Sequence, residues 1–388
     1  MVKKLALITP WPPQQTGIAD YAYDLASAMR GPSLEIHVLT NERAPCDLEG
    51  VIIHHVDEIF SGILDLAIFD GILVQLGNHP HFHDYMPEII RRYKCVVELH
   101  DVLLHHLLMG RSGIANGGDH YFGWLSRAYG VEVATQFRDF FTNGGDFYEC
   151  TLAHRYPCSD VVASTASNVI VHSVSARDTL VGRGFLQPIH VVNLCQRTPS
   201  NKHTKSENGI FRIGVFGGVQ INRQVNIVLC VLAKLDSNFG NWQLDIVGEI
   251  DEDCLYLKNL VGELGIDSKV NFLGRLQLDV LNDVMSSCDA VVSLRNPTMG
   301  ETSAIVIRAL QMNVPCIVSD VGWYKELPAC VVKVDNNNMA ESLEQALQNL
   351  KSNPIYYQSI IEKIAYFATT QLDLRIAADD ILLHTFGT

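Results

Sequence analysis

None of the ten cysteines forms a C-x-x-C pair with another, which excludes zinc knuckles and dithiol redox centres. Scattered thiols in a chain of 388 residues point to a reducing compartment rather than a disulfide scaffold. No segment offers 18 uncharged apolar residues, so no membrane-spanning helix is expected. The opening MVKKLALITPWPP imitates a signal peptide, but Thr9 and Pro10 end its apolar run after four residues. The chain is therefore read as cytoplasmic. Basic residues are scarce: 29 Lys and Arg stand against 43 Asp and Glu, a net charge of −14. Nucleic acid is excluded as the main partner, because a phosphate backbone needs clustered positive charge. The one basic run, RRYK (91–94), suits a solvated helix face as well as a membrane surface, so peripheral contact with the inner face of a membrane stays open.

What the chain does contain is ordinary for a soluble enzyme: 47% hydrophobic and 19% charged residues. Its length predicts two domains. Apolar β-type runs alternate with longer amphipathic stretches. The first series is LALIT (5–9), LEIHVLT (34–40), GVIIHH (50–55), GILVQL (71–76), CVVEL (95–99), NVIVHS (168–173) and IHVVNL (189–194). The second is FRIGVFG (211–217), WQLDIVG (242–248), KVNFLG (269–274), DAVVSL (289–294), PCIVSD (315–320) and CVVKV (330–334). Continuous Val/Ile/Leu runs predict strands buried on both faces, as in parallel sheets. Between the series, RTPSNKHTKSENG (197–209) lacks any aliphatic side chain and reads as a linker. The expectation is an α/β chain of two doubly wound, Rossmann-like domains, residues 1–196 and 210–370. Ligand would sit in the cleft between them, at the carboxyl ends of the strands.

HPHFHD (79–84) follows the fourth apolar run and imitates the ligand loop of some dinuclear zinc hydrolases. Such a site also needs ligands from further strand ends in a different layer order. His79, His81 and His83 are read instead as lining near an acceptor, or as a plain surface loop, with zinc hydrolysis the remote alternative. DED (251–253) reads as a helix N-terminus, where acidic residues favour the dipole.

Six stretches carry a family resemblance, in this order: TPWPPQQTGIADYAYDLA (9–26), GNHPHFH (77–83), VVELHDVLLHHLL (96–108), NVIVHSVSARDTL (168–180), GVFGGVQINRQVNIVLCVL (214–232) and SLRNPTMGETSAIVIRALQMNVPCIVSDVGWYKELP (293–328). Together they resemble the retaining GT-B glycosyltransferases of family 4, most specifically over 293–328. The resemblance covers nearly the whole chain. It implies two Rossmann-like domains, a nucleotide-diphosphate sugar as donor, no cofactor and no metal requirement. It also implies a closing helix, residues 371–388, that returns to the N-terminal domain.

The resemblance assigns roles residue by residue. PTMGETSAIVIRAL is a loop opening into a helix, with Glu301, Thr302 and Ser303 in its first turn, where free amides and the dipole favour a diphosphate. Glu301 matches the glutamate that bonds the sugar hydroxyls; a simple helix cap is the bland reading. The family's second glutamate, eight positions on, falls on Ala309 here, and the aligned position holds Arg308, which puts ribose recognition in doubt. A variant branch reads GETSG followed by Arg. Gly217 and Gly218 let backbone approach the donor, and Arg223 stands where Lys is usual; Arg grips phosphate bidentately. Gly218 replaces an Arg, so one phosphate contact is missing. Thr16 and Gly17 match the glycine loop facing the donor and acceptor; a surface loop stiffened by its prolines is the alternative. His100 matches the histidine that contacts the donor sugar, with Asp101 expected to orient its ring; a satisfied core histidine is the alternative. Asn78, His79, Asp101 and His105 fall on the acceptor side, with His106 beside them.

The function implied is transfer of a sugar, from GDP-mannose or a UDP-sugar, to a glycan or lipid-linked acceptor in cell-surface polysaccharide synthesis. Other GT-B enzymes, such as an epimerase or phosphorylase, and a non-catalytic nucleotide-sugar-binding scaffold remain alternatives. Oligomeric state has no signature in the sequence.

Overall fold

The computed structural model describes residues 2–110, 118–145, 147–204 and 209–387. The chain divides into two units. Unit 1 gathers Met1–Cys195, Met299–Thr302 and Leu374–Thr388; unit 2 gathers Gln196–Thr298 and Ser303–Asp373.

Unit 1 is built on a seven-stranded parallel sheet in the order β3-β2-β1-β4-β5-β6-β7. The strands are β1 (Lys3–Ile8), β2 (Leu34–Thr40), β3 (Val51–His55), β4 (Gly71–Leu76), β5 (Val96–Leu99), β6 (Asn168–Val171) and β7 (Ile189–Val191). Central β4, β5 and β6 are buried along their whole length, while edge strand β3 is only partly buried. That gradient explains why the central runs are unbroken Val, Ile and Leu. Unit 2 carries a six-stranded parallel sheet in the order β10-β9-β8-β11-β12-β13. Its strands are β8 (Phe211–Phe216), β9 (Trp242–Val247), β10 (Val270–Gly274), β11 (Ala290–Ser293), β12 (Cys316–Ser319) and β13 (Val332–Val334). All thirteen strands overlap the apolar runs read from the sequence, and both sheets are doubly wound.

In each sheet the order reverses once, between β1 and β4 in unit 1 and between β8 and β11 in unit 2. Loops leaving the carboxyl ends of those strands diverge there and open a crevice for ligand. The topology thus selects the loops after β1, β4, β8 and β11.

The closing helix, Leu374–Phe386, packs in unit 1 against the first helix, Gly17–Met29, and against β4 and β6. Asn168 Nδ2 donates to the carbonyl of His384 at 3.0 Å. Gly71 is obligatory beneath it, since a Cβ there would meet the Phe386 ring at 2.7 Å. The segment read as a linker is docked on unit 2 where it is described. The amide of His203 donates to Met312 O, that of Thr204 to Ser286 O, and Lys202 Nζ to Gln311 O. Residues 205–208 of that segment lie outside the described residues. Among the described residues, no helix is long and apolar enough to cross a membrane.

Candidate active site

In unit 2 the loop after β8 is shaped by two glycines that admit no side chain. Gly217 has φ +95°, and its amide donates to Val247 O at 2.8 Å. A Cβ on Gly248, at the end of β9, would stand 2.1 Å from Gly217 O. The ends of β8 and β9 therefore run back to back, and Gly248 is a site residue that sequence reading passed over, although its strand-ending position was visible. Arg223, in the short 3-10 turn Ile221–Arg223, folds back over this loop. Its guanidinium lies 3.3 Å from where a Gly217 Cβ would be. Gly218 is exposed, and a Cβ there would touch nothing within 4 Å. Asp251 adds a carboxyl whose pKa burial raises, while Gln220 and Arg223 pull it back. DED thus leads a short 3-10 turn, Glu252–Cys254, with Asp251 at the N-cap position but hydrogen-bonded through its side chain to Gln220 instead of capping.

The loops after β8 and β11 are tied to each other. Asn296 N donates to Asn222 O at 2.8 Å, Asn222 Nδ2 to Pro297 O at 3.3 Å, and Gln224 Nε2 to Asn296 O at 2.9 Å. Asn222 is buried, and no local pattern in the sequence announced it. Past β11 the helix Ala304–Gln311 begins three residues later than expected: Ser303 is its N-cap rather than part of the first turn, with Oγ accepting Val306 N at 3.3 Å. Glu301 and Thr302 precede the helix rather than occupying its first turn. The amides of Ala304 and Ile305 have no acceptor within the helix, and its dipole points positive at this end.

Arg308 requires correction as a donor-binding residue. It lies on the inward face of that helix, 6% exposed. Nη1 donates to Asn282 Oδ1 at 3.3 Å and Nη2 to Gln196 Oε1 at 2.5 Å. The guanidinium is engaged in holding the start of unit 2, because five residues past the cap a helical position points into the core.

In unit 1, Thr16 caps the first helix, its Oγ1 accepting Ile18 N at 3.4 Å. Gly17 has open space where its Cβ would be, so no steric demand of the protein selects glycine there. At the end of β4, Gly77 is fully constrained: a Cβ would lie 2.6 Å from Ile18 Cδ1 and 2.8 Å from His83 Nε2. Asn78 pins this loop. Its amide donates to Asp101 Oδ2 at 2.9 Å, its Oδ1 accepts Leu107 N at 3.2 Å, and its Nδ2 meets His106 Nδ1 at 3.1 Å. The three alternating histidines have separate tasks. His79 caps the helical turn Pro80–His83, His81 is exposed, and His83 is buried against Gly77 N and Met86 Sδ. Burial drives the His83 pKa down to about 3, so its ring stays neutral.

His100 follows β5, with its ring against Tyr21 and His172 at centroid distances of 5.2 and 4.8 Å. Asp101 does not orient that ring; its carboxylate takes the Asn78 amide instead. His105 also requires correction. It is fully buried, with Nδ1 on Tyr121 OH at 2.7 Å and Nε2 on Ala153 O at 3.2 Å. Both nitrogens are engaged, so it is a core histidine that faces no acceptor.

Met299–Thr302 belongs to unit 1. Gly300, at φ +80°, lies so close to Val102 that a Cβ would approach the valine Cβ to 2.9 Å. Glu301 Oε2 accepts Met299 N at 2.7 Å. Its charge reaches both His154 and Asp101. Burial, aided by Glu301, lifts the Asp101 pKa to about 6, against the opposing pull of the Asn78 amide. Between about pH 4 and 6 the folded chain then holds a proton that the unfolded chain has released, so this group's contribution to stability falls as pH rises through that window. Asp101→Asn keeps an acceptor for Asn78 and removes the titration. Relative to wild type, it is expected to gain up to about 3 kcal/mol on going from pH 4 to pH 7. Thermal or urea unfolding across that range, with a chelator present, checks this; parallel profiles for the two proteins would refute it.

Beside these residues, unit 1 has a depression of about 720 Å³ whose lining includes Gln14, Asn41, His55, Phe60, His81 and Tyr85. It mixes amide, imidazole and aromatic groups with the charged Glu42, Arg43, Asp57 and Asp84 at the carboxyl ends of β1 to β4.

Residues 210–352 match the family model described as glycosyl transferases group 1. No curated protein matches the chain. Among solved structures, WaaG, a glycosyltransferase involved in lipopolysaccharide biosynthesis, superposes with a TM-score of 0.64 at 14% identity, covering 99% of this chain and 100% of its own. Anabaena HepE in complex with UDP gives a TM-score of 0.65 at 15% identity, with 100% of both chains covered. Sucrose-phosphate synthase from Thermosynechococcus elongatus gives 0.70 at 13% identity over 98% of each chain. The fold is accordingly that of the GT-B glycosyltransferases, two Rossmann-like domains, with the group 1 match lying in the second of them.

Proposed function

We propose that this chain is a retaining glycosyltransferase of the family 4 type that uses a nucleotide-diphosphate sugar and needs no metal ion. One observation carries the reading. Inside the segment matching the group 1 model, Gly217, Arg223 and the start of the Ala304–Gln311 helix all lie at the carboxyl ends of β8 and β11, where the strand order reverses. This combination suits a diphosphate: glycines admit it, amides and a helix dipole bind it, and a guanidinium neutralises it.

The chemistry follows from those groups. As the bond between the anomeric carbon and the diphosphate oxygen lengthens, negative charge grows on the departing phosphate. Arg223 and the amides of Ala304 and Ile305 stabilise that charge, a task that a divalent ion performs elsewhere. The acceptor hydroxyl enters from the face the phosphate leaves and passes its proton to the departing phosphate oxygen, so configuration is retained. Glu301 serves the donor sugar's hydroxyls, and His100 supports the reacting centre. HepE binds UDP and UDP-glucose, which favours a UDP-sugar over GDP-mannose here. The depression beside His81 is the proposed seat of a glycan or lipid-linked acceptor in cell-surface polysaccharide synthesis.

The test is a thermal-shift screen against UDP-, GDP-, dTDP- and ADP-sugars, followed by a donor-turnover assay with and without EDTA. One nucleotide should raise the melting temperature by mass action, and turnover should persist in EDTA. No stabilisation by any nucleotide sugar would sink the reading. Binding with no turnover on any acceptor would favour a non-catalytic scaffold, and loss of turnover on chelation would remove the metal-free mechanism.

A further inference from the structure

Beneath His100, unit 1 buries polar side chains, Glu98 and His172 among them, that the transfer mechanism does not use. Glu98 lies in the middle of the sheet and is 0% exposed. Its partners are Tyr21, whose hydroxyl donates to Oε1 at 2.5 Å, Gln75, whose Nε2 donates to Oε2 at 2.8 Å, and His172. Gln75 is held in turn by Thr9, whose hydroxyl donates to its Oε1 at 2.6 Å. None of these partners carries a fixed positive charge, and a wholly buried carboxylate is costly without one.

Two imidazoles complete the cluster. His172 is 3% exposed. Its Nδ1 donates to the carbonyl of Val192 at 2.9 Å, which leaves the Nε2 lone pair available in the neutral ring. That Nε2 stands 3.4 Å from Glu98 Oε1 and takes no hydrogen bond. Nε2 of His100 is likewise buried and takes none. One ligand atom from each of Glu98, His100 and His172 can be chosen so that all lie within 4.8 Å of one another.

We infer that Glu98, His100 and His172 form a binding site for a zinc-like first-row divalent cation, with its fourth position open. Bond lengths of about 2.0–2.1 Å in tetrahedral geometry put neighbouring ligand atoms about 3.3–3.4 Å apart, which is the separation between His172 and Glu98. The longer separations close by small rotations of the two rings. The donor set is two imidazoles and a carboxylate, which suits zinc and its neighbours; magnesium and calcium require oxygen-rich coordination. Outer contacts have the character that metal-bound histidines show: an imidazole N–H on a backbone carbonyl, and a carboxylate oriented by Tyr21 and Gln75. The cation is not part of the transfer reaction. It competes for the ring of His100, so its effect on turnover is inhibitory, and that consequence alone rests on the transferase reading.

The test uses the full chain stripped with chelator and dialysed, then titrated with Zn²⁺ against a chromophoric competitor and with Co²⁺ by absorption. Expected are one tight equivalent of Zn²⁺ per chain and the intense visible bands of low-coordinate Co²⁺. His172→Gln and Glu98→Gln, checked for folding by circular dichroism, should each weaken Zn²⁺ binding by about 100-fold or more, at least the upper range seen when only an outer partner of a metal ligand is lost. Weak six-coordinate Co²⁺ bands in wild type, or Zn²⁺ binding unchanged in folded variants, would overturn the site and leave an ion pair between Glu98 and His172. The wild-type cobalt spectrum decides between these outcomes even if neither variant folds. In the turnover assay, Zn²⁺ at ten times its dissociation constant should lower the rate about elevenfold by simple occupancy. Tight binding with unchanged turnover would uphold the site and count against the role given to His100.

Discussion

Arg223→Ala is expected to weaken nucleotide-sugar binding by roughly 1.5–3 kcal/mol, the range for a hydrogen bond to a charged partner, or about 10- to 150-fold in dissociation constant. The guanidinium lies over Gly217, beside the loop that two glycines keep free of side chains. Its loss leaves the diphosphate with amides and a helix dipole alone. Lys at this position should recover part of the affinity, since it restores the charge without the planar fork. Asp251 sits within electrostatic reach of Arg223, so Asp251→Asn should move affinity the opposite way by a smaller amount. Calorimetric titration with nucleoside diphosphate and intact sugar nucleotide separates these effects. Affinity unchanged in Arg223→Ala would remove the residue from the site.

His100→Ala should lower turnover about 100- to 1000-fold, the cost of removing one group that stabilises developing charge, with donor affinity within a few-fold of wild type. The residue follows β5, only partly buried, and its backbone amide, which the substitution keeps, donates to Leu76 O at 2.9 Å. Folding should therefore survive, with a melting temperature within a few degrees of wild type. A variant that melts much lower while its folded fraction turns over normally would make His100 a core histidine. His105→Ala supplies the contrast. It empties a fully buried position and strands Tyr121 OH, so it should lose stability rather than catalytic competence. The two histidines are five residues apart on one segment, and the split between rate and stability distinguishes them.

The strands and their division between two parallel sheets were readable because a parallel strand covered on both faces must be apolar at every position, and that is a local property of the chain; the order within each sheet came only from the structure. The end of β8 was readable for a related reason: Gly217 and Gly218 sit where a strand stops, and glycine announces such places, whereas the sequence reading put Ser303 inside the helix that it in fact caps. What lies across the fold had no such mark. Arg308 looks the same in sequence whether its guanidinium meets a ligand or, as here, Asn282 and Gln196. His100 and His105 share a run of similar composition, yet one tops a strand and the other is enclosed by Tyr121 and Ala153. Gly248 is obligatory only because β8 and β9 are paired, so that its Cα faces Gly217 O. Glu98 and His172 are 74 positions apart, and their meeting depends on β5 pairing with β6. Local sequence thus determined the elements and their ends, because propensity and burial act over a few residues. Tertiary structure alone decided which polar side chains are engaged within the fold and which remain available for chemistry, because partners for a buried donor or acceptor are supplied by segments remote in the chain.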